Sequence, residues 1–181
     1  GFADTHAVAL KATSTTERLA PRLLTMRPEA RAVLLHVSAD SYLTTMFAAP
    51  NSSGDLNANG PERMHRLTTM GITVPRPSTL GELAAMSWLA ERVTQARISR
   101  AFGDRVLPID FDAMLDALPE TLGNVLAHFR IAHTAERVAM IANSPTISRY
   151  SKAPEHDYSA GLRAERMAAA NADRVTGSRA Q

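Results

Sequence analysis

The chain has 181 residues, 45% of them apolar and 21% charged, with 9 Gly, 10 Pro and no Cys. This profile excludes a disordered, collagen-like or disulfide-stapled protein and suits one globular domain, long enough to bury on the order of 70% of the surface its unfolded chain exposes. Twenty basic and 18 acidic side chains leave a formal charge of +2, too balanced to point to nucleic acid or a membrane surface.

The pI near 9.4 overstates the basicity. Only Lys11 and Lys152 are lysines; the other cations are arginines, whose guanidinium titrates above about pH 12. No apolar stretch reaches the roughly 18 residues of a membrane span, and the start Gly1-Phe2-Ala3-Asp4 lacks the basic-then-apolar pattern of a signal peptide. The expectation is a soluble, cytoplasmic protein. Without cysteine, thiol catalysis, disulfides and Cys-ligated zinc all fall away.

Three short segments have strand character. The first is His6-Ala-Val-Ala-Leu-Lys11, followed by the capping-box pattern Ser14-Thr-Thr-Glu17 and a helix carrying Leu19, Leu23, Leu24 and Met26 up to Arg27-Pro28. The second, Ala32-Val-Leu-Leu-His-Val37, is a continuous apolar run of the kind buried in parallel sheets. Residues 39–49 carry Tyr42, Leu43, Met46 and Phe47 at helical spacing. The stretch 50–61, rich in Asn, Ser and Gly and ending at Pro61, reads as a surface loop.

Residues 79–102 predict the longest helix, with a stripe of Leu80, Leu83, Met86, Leu89, Val93 and Ile98 and Trp88 beside it. The third strand, Arg105-Val-Leu-Pro-Ile-Asp-Phe111, contains Pro108, which removes a ladder donor and places it at an edge or at the strand's end. Asp110 or Asp112 caps the next helix, through Met114, Leu115 and Leu118; after Pro119 another sets Leu122, Val125, Leu126 and Phe129 on one face. Further helices are expected at 135–142 and 159–174, the last Arg- and Ala-rich. The order β-α-β-α-α-β-α-α-α implies an α/β sheet with helices on its faces. Three strands are few for such a sheet and leave helix faces partly uncovered.

Six histidines, His6, His36, His65, His128, His133 and His156, form no dense ligand motif, so no metal site is expected. No Gly-x-Ser-x-Gly elbow supports a Ser-His-Asp hydrolase, and no Gly-rich turn follows the first strand to cradle a phosphate. The nearest substitute is Lys11 with Thr13, Ser14 and Thr15 at a helix start, which can hold phosphate or sulfate or can be an N-cap beside a surface lysine. At the end of the second strand, His36 and Thr44 can reach one bound group, since ligands of open α/β sheets bind there. Alternatively Ser38 or Asp40 caps the helix and Thr44 faces solvent. Trp88 serves either core packing or a contact surface; Tyr150, Tyr158 and Lys152 read as surface or capping residues.

The segment Ala30-Arg-Ala-Val-Leu-Leu-His-Val-Ser-Ala-Asp-Ser-Tyr-Leu-Thr-Thr-Met46 resembles the sulfotransferase strand and helix that bind the donor's 3′-phosphate. The family has an Arg at the strand end and a Ser eight residues on; those positions here are His36 and Thr44. Val8-Ala-Leu-Lys-Ala-Thr13 is similar to the family segment in which a Lys ends a strand and a base, often His, lies two residues later, a position held by Thr13. Residues 103–131 resemble the family's core strand ending in an acidic-aromatic pair, its short helix and its following helix. Ser148-Arg-Tyr-Ser-Lys-Ala-Pro-Glu-His-Asp-Tyr158 is similar to a tail of a bacterial branch of such proteins.

The resemblance implies a partial P-loop-like three-layer α/β/α domain with a short parallel sheet and many helices. It would comprise residues 1–160, lacking the first strand and 5′-phosphosulfate loop, with 161–181 as a C-terminal helix and frayed tail. It implies sulfuryl transfer from 3′-phosphoadenosine 5′-phosphosulfate, as co-substrate and without a metal, to a small-molecule alcohol or amine. Lys11 would be the catalytic cation, and His36 and Thr44 the 3′-phosphate contacts. No nucleic-acid or membrane partner is implied; a homodimer is compatible. Replacing the family's Arg by His weakens anion binding by roughly 1–3 kcal/mol, and with no 5′-phosphosulfate loop the 181-residue chain is expected to be inactive alone. The alternative is a noncatalytic α/β interaction module of the same fold, using the Trp88 helix and the 50–61 segment as its contact surface.

Overall fold

The computed structural model describes residues 8–12, 19–48, 52–150, 153–157 and 159–177. In chain order the elements are α1 (Ala20–Met26), β1 (Ala32–His36), α2 (Ala39–Ala48), α3 (Ser52–Thr69), α4 (Leu80–Phe102), β2 (Val106–Asp110), α5 (Phe111–Asp116), α6 (Leu118–His128), α7 (Ala135–Ala142), β3 (Arg149–Tyr150), β4 (Ala153–Asp157) and α8 (Ala160–Gly177). The chain is mostly helical, with a two-stranded parallel sheet, and belongs to the mixed α/β class.

β1 and β2 pair in parallel from Ala32 opposite Val106 to His36 opposite Asp110. A parallel pair needs a long crossover, and α2, α3 and α4 supply it. The core forms on one face of this pair, where Leu34 and Val106 meet Leu24 of α1 and Ile98 of α4, flanked by Ala20, Ala30, Ala32 and Phe102. Pro108 lies opposite Leu34 in the middle of β2. Its missing N–H is tolerated because β2 has a single strand neighbour among the described residues and so is an edge.

The expected first strand is not formed where it is described. His6 lies outside the described residues, and 8–12 are irregular, with Val8 85% and Leu10 74% exposed. A short apolar run alone does not make a strand without a ladder partner for its N–H and C=O groups. The Ser14 and Glu17 capping pattern also falls outside the described residues. In α1 the Ala20 and Leu24 row faces the core, leaving Leu19, Leu23 and Met26 exposed.

The expected loop at 50–61 is, from Ser52 onward, the first half of α3. Leu56, Gly60, Arg63 and Leu67 form one buried row at helical spacing, and Leu56 is 1% exposed. Packing of that row overrides the poor helix propensity of Asn, Gly and Pro. Pro61 lies on the exposed side of the helix. At Gly60 α3 lies close against α4: a Cβ there would lie 2.8 Å from Leu83 Cδ1. Arg63 and Arg66 both bond Glu91 across this seam, at 3.1 and 2.8 Å. α3 ends at Thr69, and the turn that follows uses Gly71, whose φ of +76° favours glycine.

α4 starts with a capping box, Thr79 accepting from the Glu82 N–H while the Glu82 side chain reaches back. Its buried residues are Ala84, Ser87, Ala90, Thr94, Gln95 and Ile98. Of the expected leucine-rich stripe only Ile98 belongs to this set, because α4 must approach both α3 and the strands, and small or hydrogen-bonding residues permit that. α5 is capped by Asp110, whose Oδ1 accepts from the N–H groups of Asp112 and Ala113 at 3.0 Å. α6 begins with Pro119 in its first turn, and α7 covers the expected residues. The antiparallel pair β3 and β4 carries a register irregularity and was not foreseen. α8 packs against α2.

Two glycines of α3 are expected to respond oppositely. Gly60→Val overpacks the seam and should lower stability by about 1–3 kcal/mol, whereas Gly54→Ala, with open space around its Cβ, should raise it by up to about 1 kcal/mol. Urea denaturation of both variants checks this contrast.

Candidate functional site

The parallel register brings the carboxyl ends of β1 and β2 together, the edge at which open α/β sheets bind ligands. His36 closes β1, and its Nδ1 lies 3.5 Å from Asp110 Oδ2. Asp110 thus divides its two oxygens, Oδ1 capping α5 and Oδ2 facing the imidazole. The His36 side chain is 19% exposed. Burial lowers its pKa below the ordinary value, the charge of Arg92 lowers it further, and Asp110 opposes both. The ring is therefore predominantly neutral at pH 7, its Nδ1 toward the carboxylate.

One face of α4 borders β1. Trp88 Nε1 donates to the Val37 carbonyl and Gln95 Nε2 to the Leu35 carbonyl, both at 3.0 Å. Between them Arg92 donates from Nη1 to Gln95 Oε1 at 2.9 Å. On the β2 side, Asp112 Oδ2 accepts from Ser41 Oγ at 2.6 Å, and Oδ1 accepts from Arg163 Nε at 2.9 Å, with Arg163 Nη2 at 2.8 Å. Arg163 also lies over the Phe111 ring, 5.1 Å from its centre. Partial burial pushes the Asp112 carboxyl up, but the hydrogen bonds from Ser41 and Arg163 and the Arg163 charge outweigh it, holding the pKa below its usual value. An open groove of about 320 Å³, lined by Leu107, Pro108, Asp110, Met114, Glu120 and Asn124 among others, runs beside β2.

Of the residues singled out from the sequence, His36 lies at this edge. Lys11 is exposed in the irregular segment 8–12 and forms none of the contacts that build the edge. Thr44 is buried in α2 at 1% exposure, so a ligand reaches its hydroxyl only if α2 shifts. Thr13 falls outside the described residues. Trp88 is partly buried with its indole N–H bonded to Val37. Asp110 and Asp112 were legible as capping candidates but not as partners of His36, Ser41 and Arg163. Ser41 and Arg163 carry no local signal, since their partner Asp112 is 71 and 51 residues away, and the bond of Arg92 to Gln95 within α4 says nothing of its place along β1.

Among the described residues, no group of three or more His, Asp or Glu side chains is placed to hold a metal, and no helix is long and apolar enough to cross a membrane. Comparison with family models, with curated proteins and with solved structures finds no match.

Asp112 generates a pH dependence with a definite sign. A carboxyl with its folded pKa below the unfolded value contributes stability above that unfolded value, near 3.8, and loses it as the pH falls through the folded one. Urea midpoints measured between pH 6 and pH 2 should therefore fall less steeply with acid in Asp112→Asn than in the native chain. An identical slope in both would remove the interaction from the account.

Proposed function

We propose that the chain is a sulfotransferase-like protein whose ligand edge is the shared carboxyl end of β1 and β2. The observation that carries this reading is the parallel register setting His36 opposite Asp110, with a helix following each strand. This matches the resemblance to the 3′-phosphate-binding strand and helix and to the core strand with its acidic-aromatic pair, here Asp110 and Phe111.

The reaction is transfer of a sulfuryl group from 3′-phosphoadenosine 5′-phosphosulfate to an alcohol or amine. The bond from sulfur to the bridging phosphate oxygen breaks, a bond from sulfur to the acceptor oxygen or nitrogen forms, and a base removes the acceptor proton. Charge builds on the bridging oxygen and the sulfuryl oxygens, where cations and N–H groups stabilise it. The resemblance makes Lys11 the electrophilic cation, which from the exposed segment 8–12 would have to move to the edge, and His36 the contact to the 3′-phosphate. The acceptor is assigned to the open groove beside Asp110, whose lining mixes apolar side chains with Asp110, Glu120, Thr121 and Asn124. The interaction-module reading draws less support: much of the 50–61 segment is helix packed on α4, and the Trp88 N–H is committed within the fold.

The sequence contains no Gly-rich phosphate loop, so the 181-residue chain should bind 3′-phosphoadenosine 5′-phosphate weakly and show no turnover. Calorimetry with this nucleotide tests the reading. Binding that falls roughly tenfold in His36→Ala, the value of one hydrogen bond to a charged group, supports it; absence of binding to the native chain overturns it.

A further inference from the structure

We propose that Arg92 of α4 and His36 at the end of β1 together form a binding site for a tetrahedral oxyanion of the phosphate or sulfate monoester type.

The first observation is one of charge. Arg63 and Arg66 pair with Glu91, Arg163 with Asp112 and Arg31 with Asp104. Arg105 gives Nε and Nη2 to the carbonyls of Ala30, Leu24 and Arg27. Arg92 differs. It is partly buried, its hydrogen bond goes to the neutral oxygen of Gln95, and among the described residues no carboxylate lies within ion-pair distance of it. A partly buried guanidinium without a counter-charge bears a desolvation cost that a bound anion offsets.

The second observation is one of position. Trp88 and Gln95, on the same face of α4, are fastened to the carbonyls of Val37 and Leu35. Arg92 lies between these two fixed points, alongside the carboxyl end of β1. Its planar fork of five donors suits a tetrahedral oxyanion, and one donor is used by Gln95. His36 presents Nδ1 to Asp110, which leaves Nε2 for a ligand. As imidazolium the ring would donate one N–H to Asp110 and the other to the anion. The charges acting on His36 are Arg92 of α4, which lowers its pKa, and Asp110 of β2, 3.5 Å from Nδ1, which raises it. Asp110 repels the anion weakly, because its oxygens already face two backbone N–H groups and the imidazole.

The proposal rests on the sulfotransferase reading only for the identity of the ligand. On that reading, the guanidinium that the family carries at the strand end is supplied here from α4. Anion binding itself does not require it.

The experiment follows the His36 ring resonances by NMR at pH 6.5 and low salt, while inorganic phosphate and, separately, 3′-phosphoadenosine 5′-phosphate are added. Variants are Arg92→Gln, Arg92→Lys and, as a control for the loss of one charge elsewhere on α4, Arg97→Gln, whose guanidinium bonds the Met70 carbonyl. Phosphate should shift His36 saturably and raise its pKa. The half-saturating concentration should rise at least tenfold in Arg92→Gln, less in Arg92→Lys, and stay unchanged in Arg97→Gln. No saturable shift in the native chain, or equal losses in Arg92→Gln and Arg97→Gln, overturns the proposal. Arg92-dependent phosphate binding without nucleotide binding upholds this site and defeats the sulfotransferase reading. Nucleotide binding indifferent to Arg92 does the reverse. Circular dichroism confirms folding of each variant, and if Arg92→Gln fails to fold, Arg92→Lys against the native chain decides.

Discussion

The fold depends on how β1 satisfies its backbone. The strand has one ladder partner, β2, among the described residues, yet its carbonyls lie against helices. An unmatched buried carbonyl costs about 1–3 kcal/mol, so side chains must reach them. Gln95 and Trp88 serve Leu35 and Val37, two residues apart and hence on one edge of the strand, and His128 Nε2 lies 3.0 Å from the Ala32 oxygen. These contacts fix α4 lengthwise along β1 and bring the end of α6 to its start. They also place Gln95 on the inward side of α4, among the small residues Ala84, Ser87, Ala90 and Thr94.

Arginine performs the remaining fastening. Arg105 ties the end of α1 and the approach to β1 to the start of β2 through three carbonyls. Arg63 and Arg66 meet at Glu91 in the seam of α3 and α4, while Arg163 holds α8 to Asp112. Such pairs are weak sources of net stability because desolvation offsets much of the attraction. Their directional forks instead define how neighbouring elements sit. The seam is not fully satisfied: Arg66 Nε and Ser87 Oγ are buried without a hydrogen-bond partner.

What the sequence made legible follows from this. The helices α2 and α7 and the Asp110 cap are set by local spacing and capping chemistry, and they stand close to where those signals place them. Pro108 correctly marked an edge strand. The helix α3 was hidden because its buried row places Gly60 and Arg63 between Leu56 and Leu67, so neither apolar periodicity nor propensity announced it. The face of α4 was misread because α4 approaches both α3 and the strands closely, which selects small residues and Gln95 for its inward side rather than leucines. The expected first strand had the pattern of a strand but no partner in the described segment. At the site, His36 was visible as a strand end, whereas Ser41 and Arg163 reach Asp112 across 71 and 51 residues, separations no local motif encodes.

The electrostatics of the strand edge come from a division between two carboxylates on either side of Phe111. Asp110 faces inward to His36 and the first turn of α5, whereas Asp112 faces Ser41 and Arg163. Each carboxylate is engaged by groups already in the fold, and Arg163 neutralises the second within contact distance. Asp110 keeps its negative charge, because the imidazole it faces is mostly neutral, but both its oxygens are covered, whereas the Arg92 guanidinium on α4 has donors uncommitted. An edge so arranged discriminates by sign. A cationic ligand would have to displace Arg163 or His36 to reach a carboxylate, whereas an oxyanion meets a guanidinium with donors to spare.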